Sequence, residues 1–233
     1  MIDAVVLAGG MGSRLGGLFP QTAKPLVPIA GRPFLDYLAD FLIAEGVRRI
    51  VLAVGHLQEQ FAGYCRSRRD VEFVLSAEEV PLGTGGALRN ALPLIRGENI
   101  LALNGDSICR VPVAELLELH GSCGAEATLV ATRSDPRDDG GNIVLDGTGK
   151  VVQFEEKRGP PGEVALLSAG IYVFRNSNAI FEGRGNAFSL EFDLLPDLAR
   201  RGTCRAYVTR STVIDIGTSE RFLRAERTRL REQ

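Results

Sequence analysis

Residues 2–8, Ile-Asp-Ala-Val-Val-Leu-Ala, form a short apolar run that passes straight into Gly9-Gly10-Met11-Gly12. A run of that length closed by glycines reads as a strand buried on both faces, the kind found in parallel sheets covered by helices. The next segments keep that rhythm. Residues 34–45 place Leu35, Leu38, Phe41 and Leu42 on one helical face, and Gly46 stands where such a helix stops. Further strands are expected at 50–54, 71–75 and 99–103, with helices at 57–68, 85–94 and 113–120. Strand–helix alternation at this spacing implies βαβ crossovers and a mostly parallel α/β sheet. After residue 120 the rhythm changes. Residues 125–132, 142–145, 151–155 and 167–174 are strand-like with little helix between them, so an antiparallel extension of the same sheet is expected. Helices at 190–201 and 219–231 bracket strands at 204–209 and 212–215. The Pro/Gly stretch 158–162 is short enough for a loop, and one domain over residues 1–233 is expected.

Composition narrows the function classes. The chain balances 27 Lys+Arg against 29 Asp+Glu, a net charge of -2. Nucleic acid and anionic membranes both call for a clustered basic excess, so neither is expected as a partner. No apolar stretch approaches the roughly 18 to 20 residues that span a bilayer. The N-terminus lacks the basic region of a secretory signal. Cys65, Cys109, Cys123 and Cys204 are far apart, and His56 and His120 are the only histidines. Free thiols in a reducing compartment follow, with no zinc site. A cytoplasmic protein is expected.

The glycine-rich turn is where chemistry enters. Glycines after a strand let backbone N–H groups approach an anion closely, and Arg14 adds a planar fork for phosphate oxygens. From Gly10 the spacing is G-x-G-x-x-x-G rather than the dinucleotide G-x-G-x-x-G, and no acidic residue follows Gly55-His56 to hold a ribose. No Gly-Lys here is followed by Ser or Thr, which excludes a Walker A loop. Lys24 sits in Ala23-Lys24-Pro25-Leu26-Val27-Pro28-Ile29, between a proline and a short apolar stretch that stiffen its loop.

The motifs LAGGMGSRL and AKPLVPIAGRPFLDYL resemble the signature of sugar-1-phosphate nucleotidyltransferases, roughly L-A-G-G-x-G-x-R-L followed by P-K-P-L-x-P-I. One departure is Ala23, where that pattern carries Pro. Residues 81–87 (PLGTGGA), 103–106 (LNGD), 154–157 (FEEK), 169–172 (AGIY) and 214–217 (IDIG) continue the resemblance in order over nearly the whole chain. It implies the Rossmann-like three-layer α/β/α nucleotidyltransferase fold, with a nucleotide-binding part over about 1–110 and a sugar-phosphate-binding part over about 111–233. It implies attack of a sugar-1-phosphate oxygen on the α-phosphorus of a nucleoside triphosphate, with pyrophosphate leaving. That reaction needs neutralised charge, in-line placement and a stabilised leaving group rather than a general base.

The resemblance assigns roles residue by residue. Arg14, Lys24, Asp106 and Lys157 would be catalytic. Leu7, Ala8, Gly9, Gly10, Gly12 and Ser13 would surround the triphosphate together with Arg14 and Lys24. Glu78, Pro81, Gly83, Thr84, Asn104 and Asp106 would complete the nucleotide site. Gly141, Glu156, Lys157, Gly170 and Asp215 would bind the sugar phosphate. Asp106 and Asp215 each end an expected strand, and strands of an open parallel sheet deliver that end to the ligand crevice, so a Mg²⁺ held by both is expected. Either Asp alone reads equally as a turn or cap residue.

Base choice rests on Glu78. Relatives acting on uridine or thymidine nucleotides carry Gln three residues before the Pro of the P-x-G turn, where this chain has Glu78. A carboxylate is an acceptor only, which suits the adjacent N1–H and amino donors of guanine. Glu79 is an alternative carboxylate beside it. The combination EEVPLGTGGAL, LALNGDS, FEEK, LLSAGIYVF and FSLEFDLLP looks most like D-glycero-α-D-manno-heptose-1-phosphate guanylyltransferases, which act in bacterial surface glycans such as lipopolysaccharide or capsule. GTP and a sugar 1-phosphate are the expected substrates, and a single-activity enzyme is expected because no appended repeat domain is present. Mannose-1-phosphate guanylyltransferase, a uridylyl- or thymidylyltransferase, and a catalytically silent nucleotide-sugar-binding subunit remain open. So does the oligomeric state, a homo-oligomer included.

Overall fold

The computed structural model describes residues 2–10, 17–133, 141–155 and 166–227. Its first half follows the strand–helix rhythm: β1 (Asp3–Leu7), α1 (Phe34–Ala44), β4 (Arg49–Val54), α2 (Glu59–Ser67), β5 (Glu72–Ala77), α3 (Gly83–Ala91) and β6 (Asn99–Asn104). A single 3-10 turn over Lys24–Leu26 leads into the hairpin β2 (Pro28–Ile29) and β3 (Arg32–Pro33). Its turn needs positive φ at both central residues, taken by Ala30 (48°) and Gly31 (79°). The Ala30 N–H is held at 2.8 Å by the Glu226 carboxylate.

The second half contains β7 (Ser107–Ile108), α4 (Val113–Cys123), β8 (Ala127–Arg133), β9 (Asn142–Leu145), β10 (Val151–Glu155), β11 (Leu166–Arg175), α5 (Leu195–Arg200), β12 (Cys204–Thr209), β13 (Ile214–Asp215) and α6 (Ser219–Arg227). β5, β4, β1 and β6 pair in that order and all run parallel. β11 then pairs antiparallel with β6, β8 and β9, which makes it the seam where the parallel sheet becomes the antiparallel extension. This is the mixed, mostly parallel sheet expected from the sequence.

Strand alternation builds the three layers. Ala4 and Val6 of β1, with Ile50 and Leu52 of β4, pack against Phe34, Leu38 and Leu42 of α1 and Leu116 of α4. Val5 and Val51 point the other way, towards Leu88 and Ala91 of α3 and Leu195 and Leu198 of α5. Each of these aliphatic side chains contributes about 1.5–3 kcal/mol by leaving water, so both faces hold the sheet from opposite sides.

Three expectations change in detail. The helix expected at 190–201 opens as a π-turn over Leu190–Leu194 before α5 begins. Pro196 has no N–H to return to the preceding turn, and the Ser189 side chain accepts from Glu191 N and Phe192 N, so the wide turn forms at that junction. The helix expected at 85–94 starts two residues earlier, at Gly83, and ends in a 3-10 turn over Leu92–Leu94 that contains Pro93. The strand expected at 212–215 contracts to Ile214–Asp215, because its partner is the two-residue β7 and not the central sheet.

Candidate functional site

The parallel strands β1, β4, β5 and β6 all end at one edge of the sheet. Strand order reverses about β1, since β4 lies on one side of it and β6 on the other while all of them run parallel. Such a switch point leaves a crevice outside the strand ends. A cavity of about 730 Å³ opens there, walled by Leu7–Gly10 after β1, Gly55–His56 after β4, Glu78–Pro81 after β5 and Asn104–Asp106 after β6.

Lys24 reaches into this cavity from its 3-10 turn and donates to Asp106 Oδ2 at 2.5 Å. The pair is 14% and 32% exposed, so both charges keep contact with the cavity while offsetting each other. β13 brings Asp215 alongside. Asp215 pairs with Ser107 of β7, and the Ile216 N–H donates to the Asp106 carbonyl at 2.9 Å. Asp215 Oδ1 accepts from Gly217 N at 2.8 Å and from Arg221 Nη1 at 3.1 Å. A Cβ at Gly217 would lie 2.9 Å from Asp215 Oδ1 and 3.4 Å from Lys24 Nζ, so the lysine and both aspartates share one small volume.

Asp106 and Asp215 are hard oxygen donors on adjoining backbones. That set fits Mg²⁺, which keeps several waters and completes its shell with substrate phosphate oxygens. Among the described residues no group of three or more His, Cys, Asp or Glu forms a closed metal cage. Asp106 arrives as expected, on the turn after a strand of the parallel sheet. Asp215 arrives differently from expectation, on a short strand outside that sheet, because β13 pairs only with β7.

Glu78 faces the glycine turn. Its Oε1 would lie 2.9 Å from a Cβ at Gly9 and 2.5 Å from one at Gly55, so both glycines make room for this carboxylate. Its Oε2 accepts from Leu82 N at 3.2 Å. Burial pushes the Glu78 carboxyl above its ordinary range, partly offset by that backbone hydrogen bond. Glu79 is exposed whereas Glu78 is half-buried and tethered, which separates two neighbours that the sequence left equivalent.

Residues 3–232 match the family model described as Nucleotidyl transferase. The chain belongs to this family. This nucleotidyl transferase is 35% identical over 231 residues to mannose-1-phosphate guanylyltransferase of Mycobacterium tuberculosis, covering 96% of this chain and 63% of that protein. It therefore spans slightly under two thirds of that relative's length. It is 28% identical over 227 residues to D-glycero-alpha-D-manno-heptose 1-phosphate guanylyltransferase of Aneurinibacillus thermoaerophilus, covering 97% of both. The structure of HddC from Yersinia pseudotuberculosis complexed with GMP-PN matches with a TM-score of 0.83 at 30% identity, over 98% of this chain and 99% of that one.

In this nucleotidyl transferase the expected site residues divide into three groups, with Asp215 apart from them: it does not itself line the cavity but sits behind Gly217, which does. Leu7, Ala8, Gly9, Gly10, Lys24, Glu78, Pro81, Gly83, Thr84, Asn104 and Asp106 all line the cavity. Gly141 and Gly170 lie along β9 and β11 instead. Gly141 is buried and its carbonyl accepts from Ser168 N at 2.9 Å. Gly170 has φ of 71°, and a Cβ there would meet Asn104 Nδ2 at 2.9 Å and Ser107 Oγ at 3.0 Å, so it lets the β6–β7 turn approach β11. Gly12, Ser13, Arg14, Glu156 and Lys157 lie outside the described residues.

His56 and Gln58 line the cavity without having been anticipated. The available signal was their place directly after β4, the strand beside β1. Leu57 between them adopts a φ of 56°, unusual for a branched residue, while packing on the core. Nucleophilic thiol chemistry finds no support among the described residues. All four cysteines are free, and burial pushes Cys109 and Cys204 up to about 12. His120 is a core residue: it is buried, its Nδ1 lies 2.9 Å from Thr128 Oγ1, and desolvation lowers its pKa.

Proposed function

We propose that this chain transfers a guanylyl group from GTP to a sugar 1-phosphate, with D-glycero-α-D-manno-heptose 1-phosphate as the acceptor. The observation that carries the base assignment is the Glu78 carboxylate, half-buried in the cavity wall, with Oε2 held by Leu82 N and Oε1 without a backbone donor among the described residues. Guanine offers N1–H and amino donors side by side, and an acceptor-only group matches that edge. Uracil and thymine present mixed edges that a carboxylate serves poorly.

In the proposed reaction a phosphate oxygen of the sugar 1-phosphate forms a bond to the α-phosphorus of GTP. The bond from that phosphorus to the β-phosphate bridging oxygen breaks, and pyrophosphate departs with its electrons. The attacking phosphate is already ionised at neutral pH, so no side chain has to remove a proton. Gly9 and Gly10 bring backbone close to the triphosphate, and Lys24, 2.5 Å from Asp106 at the cavity, offsets its charge. Arg14 and Lys157 are proposed to add charge on the triphosphate and the sugar phosphate. Asp106 and Asp215 would hold Mg²⁺, which when bound would neutralise phosphate charge.

The heptose assignment is supported by relatives matched end to end: the heptose 1-phosphate enzyme covers 97% of both chains. Mannose 1-phosphate is the second reading, favoured by the 35% identity to the mycobacterial mannose enzyme. Pyrophosphate release with Mg²⁺, comparing GTP, UTP, dTTP, CTP and ATP against each sugar phosphate, tests both. Release with GTP and heptose 1-phosphate is the expected result. Release with UTP or dTTP overturns the base assignment, and preference for mannose 1-phosphate overturns the acceptor. No release with any pair sends the chain to another sugar 1-phosphate or to the silent-subunit reading.

A further inference from the structure

The segment carrying Lys24 is tied to α2 by one side chain. Gln60, in the first turn of α2, accepts from Ala23 N at 2.9 Å and donates to the Gln21 carbonyl at 2.8 Å. The two partners dictate the amide's orientation, since a backbone N–H can only donate and a carbonyl only accept. Ala23 is 4% exposed, so without Gln60 its N–H would be a buried donor left unpaired, an arrangement folded proteins avoid.

Ala23 has φ of -57° and ψ of 131°, inside the narrow range a proline ring imposes. A proline would stiffen this position covalently and would present no N–H. Alanine leaves φ free in the unfolded and loosened chain, and it creates the donor that Gln60 satisfies. The next residue is Lys24, whose ammonium must stay beside Asp106 at the cavity. We infer that Gln60 is a positioning residue: its amide clamps residues 21–23 and thereby holds Lys24 at the phosphate end of the cavity, doing by hydrogen bonding what a proline at 23 would do by ring closure.

Gln60 also sits four residues after His56, on the element whose leading turn forms another cavity wall. The clamp therefore joins two walls of the same site. This inference rests on the transferase reading above for its kinetic consequence, but the clamp itself is a property of the backbone.

The test uses the full chain with Gln60→Ala, Ala23→Pro and the double substitution. Hydrogen–deuterium exchange of the peptide over residues 20–27 reports the clamp directly. Exchange in Gln60→Ala is expected to accelerate about tenfold, with thermal melting lowered by a few degrees, the loss expected for one buried N–H left unpaired. The kcat for pyrophosphate release from GTP is expected to fall about tenfold, as displaced charged groups cost alignment. Adding Ala23→Pro to Gln60→Ala should restore kcat to within about threefold of the parent, since the ring removes both the free torsion and the unpaired donor. A general packing loss in α2 would not be rescued by a substitution on the neighbouring segment that restores neither of the Gln60 hydrogen bonds. Parental exchange in Gln60→Ala overturns the clamp, and a double variant no faster than Gln60→Ala overturns the positioning role. If the parent itself releases no pyrophosphate with any nucleotide and sugar phosphate, the transferase reading fails while the exchange result still decides the clamp.

Discussion

Two glycine-rich segments flank the cavity, and they look alike in sequence but are built for opposite purposes. Gly83, Gly85 and Gly86 open α3, and the protein itself fills the space they leave. A Cβ at Gly83 would lie 2.5 Å from the Phe188 carbonyl, one at Gly85 2.2 Å from the Phe188 ring, and one at Gly86 2.5 Å from the Asn186 carbonyl. The Phe188 carbonyl also takes the N–H groups of Gly85 and Gly86, at 3.0 and 3.2 Å. Among the described residues a Cβ at Gly10 in the first turn would have nothing within 4 Å, and one at Gly9 would meet the movable Glu78 carboxylate at 2.9 Å and Gly55 N at 3.4 Å. One turn is glycine-rich for packing. The other leaves its backbone open to the cavity, where an anion can approach.

The largest expected effect falls on the packed turn. Gly83→Ala forces a side chain into a φ of 69° and against the backbone of residue 188, at a cost of about 3 kcal/mol. Urea denaturation should show a lower midpoint, and an unchanged midpoint would erase the distinction between the turns. Thr84→Val comes next. Thr84 Oγ1 donates to Glu191 Oε2 at 2.6 Å and accepts from Leu190 N at 2.8 Å, so its loss should cost about 1–3 kcal/mol in the same assay. This hydroxyl fastens α3 to the π-turn, even though it also borders the cavity.

Gly10→Ala should behave in the opposite way. Stability is expected to stay within about 0.5 kcal/mol of the parent. The KM for GTP should rise about tenfold, the worth of one hydrogen bond to a charged group. Steady-state kinetics beside denaturation would reveal a stability loss without a KM change, which would make this turn structural too.

The smallest effect concerns Glu78. Its carboxyl is raised by burial, so it takes up a proton at higher pH than an ordinary glutamate. The KM for GTP should therefore rise a few-fold as pH falls through that raised value, about one lost acceptor's worth. Glu78→Gln should flatten this profile. Stability moves with the other sign: the folded chain holds this proton more tightly, so the relative gain is full below the unfolded value and is lost as pH rises through the folded one. A pH-independent KM in the parent would remove Glu78 from base recognition.

Much of the fold is legible in local pattern. The apolar runs at β1, β4 and β6 and the helical face of Leu35, Leu38 and Leu42 encode burial within single segments, so β1, α1 and β4 appear within one or two residues of expectation. Lys24 and the glycine turn were legible because glycine, lysine and proline carry backbone and charge consequences wherever they stand. The π-turn at Leu190–Leu194 was not, since it depends on Pro196 lacking an N–H while Thr84, 106 residues away, receives the Leu190 N–H.

The sequence by itself determined the strand–helix order, the change to antiparallel strands after residue 120, and which residue types could neutralise phosphate. These depend on periodicity and side-chain chemistry, which neighbouring residues carry among themselves. Only the tertiary structure decided that β13 pairs with β7 and sets Asp215 beside Asp106, that Gly83 makes room for residue 188 while Gly10 meets no neighbour among the described residues, and that Gln60 answers the N–H of Ala23. Each of those depends on a contact between segments far apart in the chain. Such contacts follow from strand register and loop closure across the whole sheet, and no local pattern holds that information.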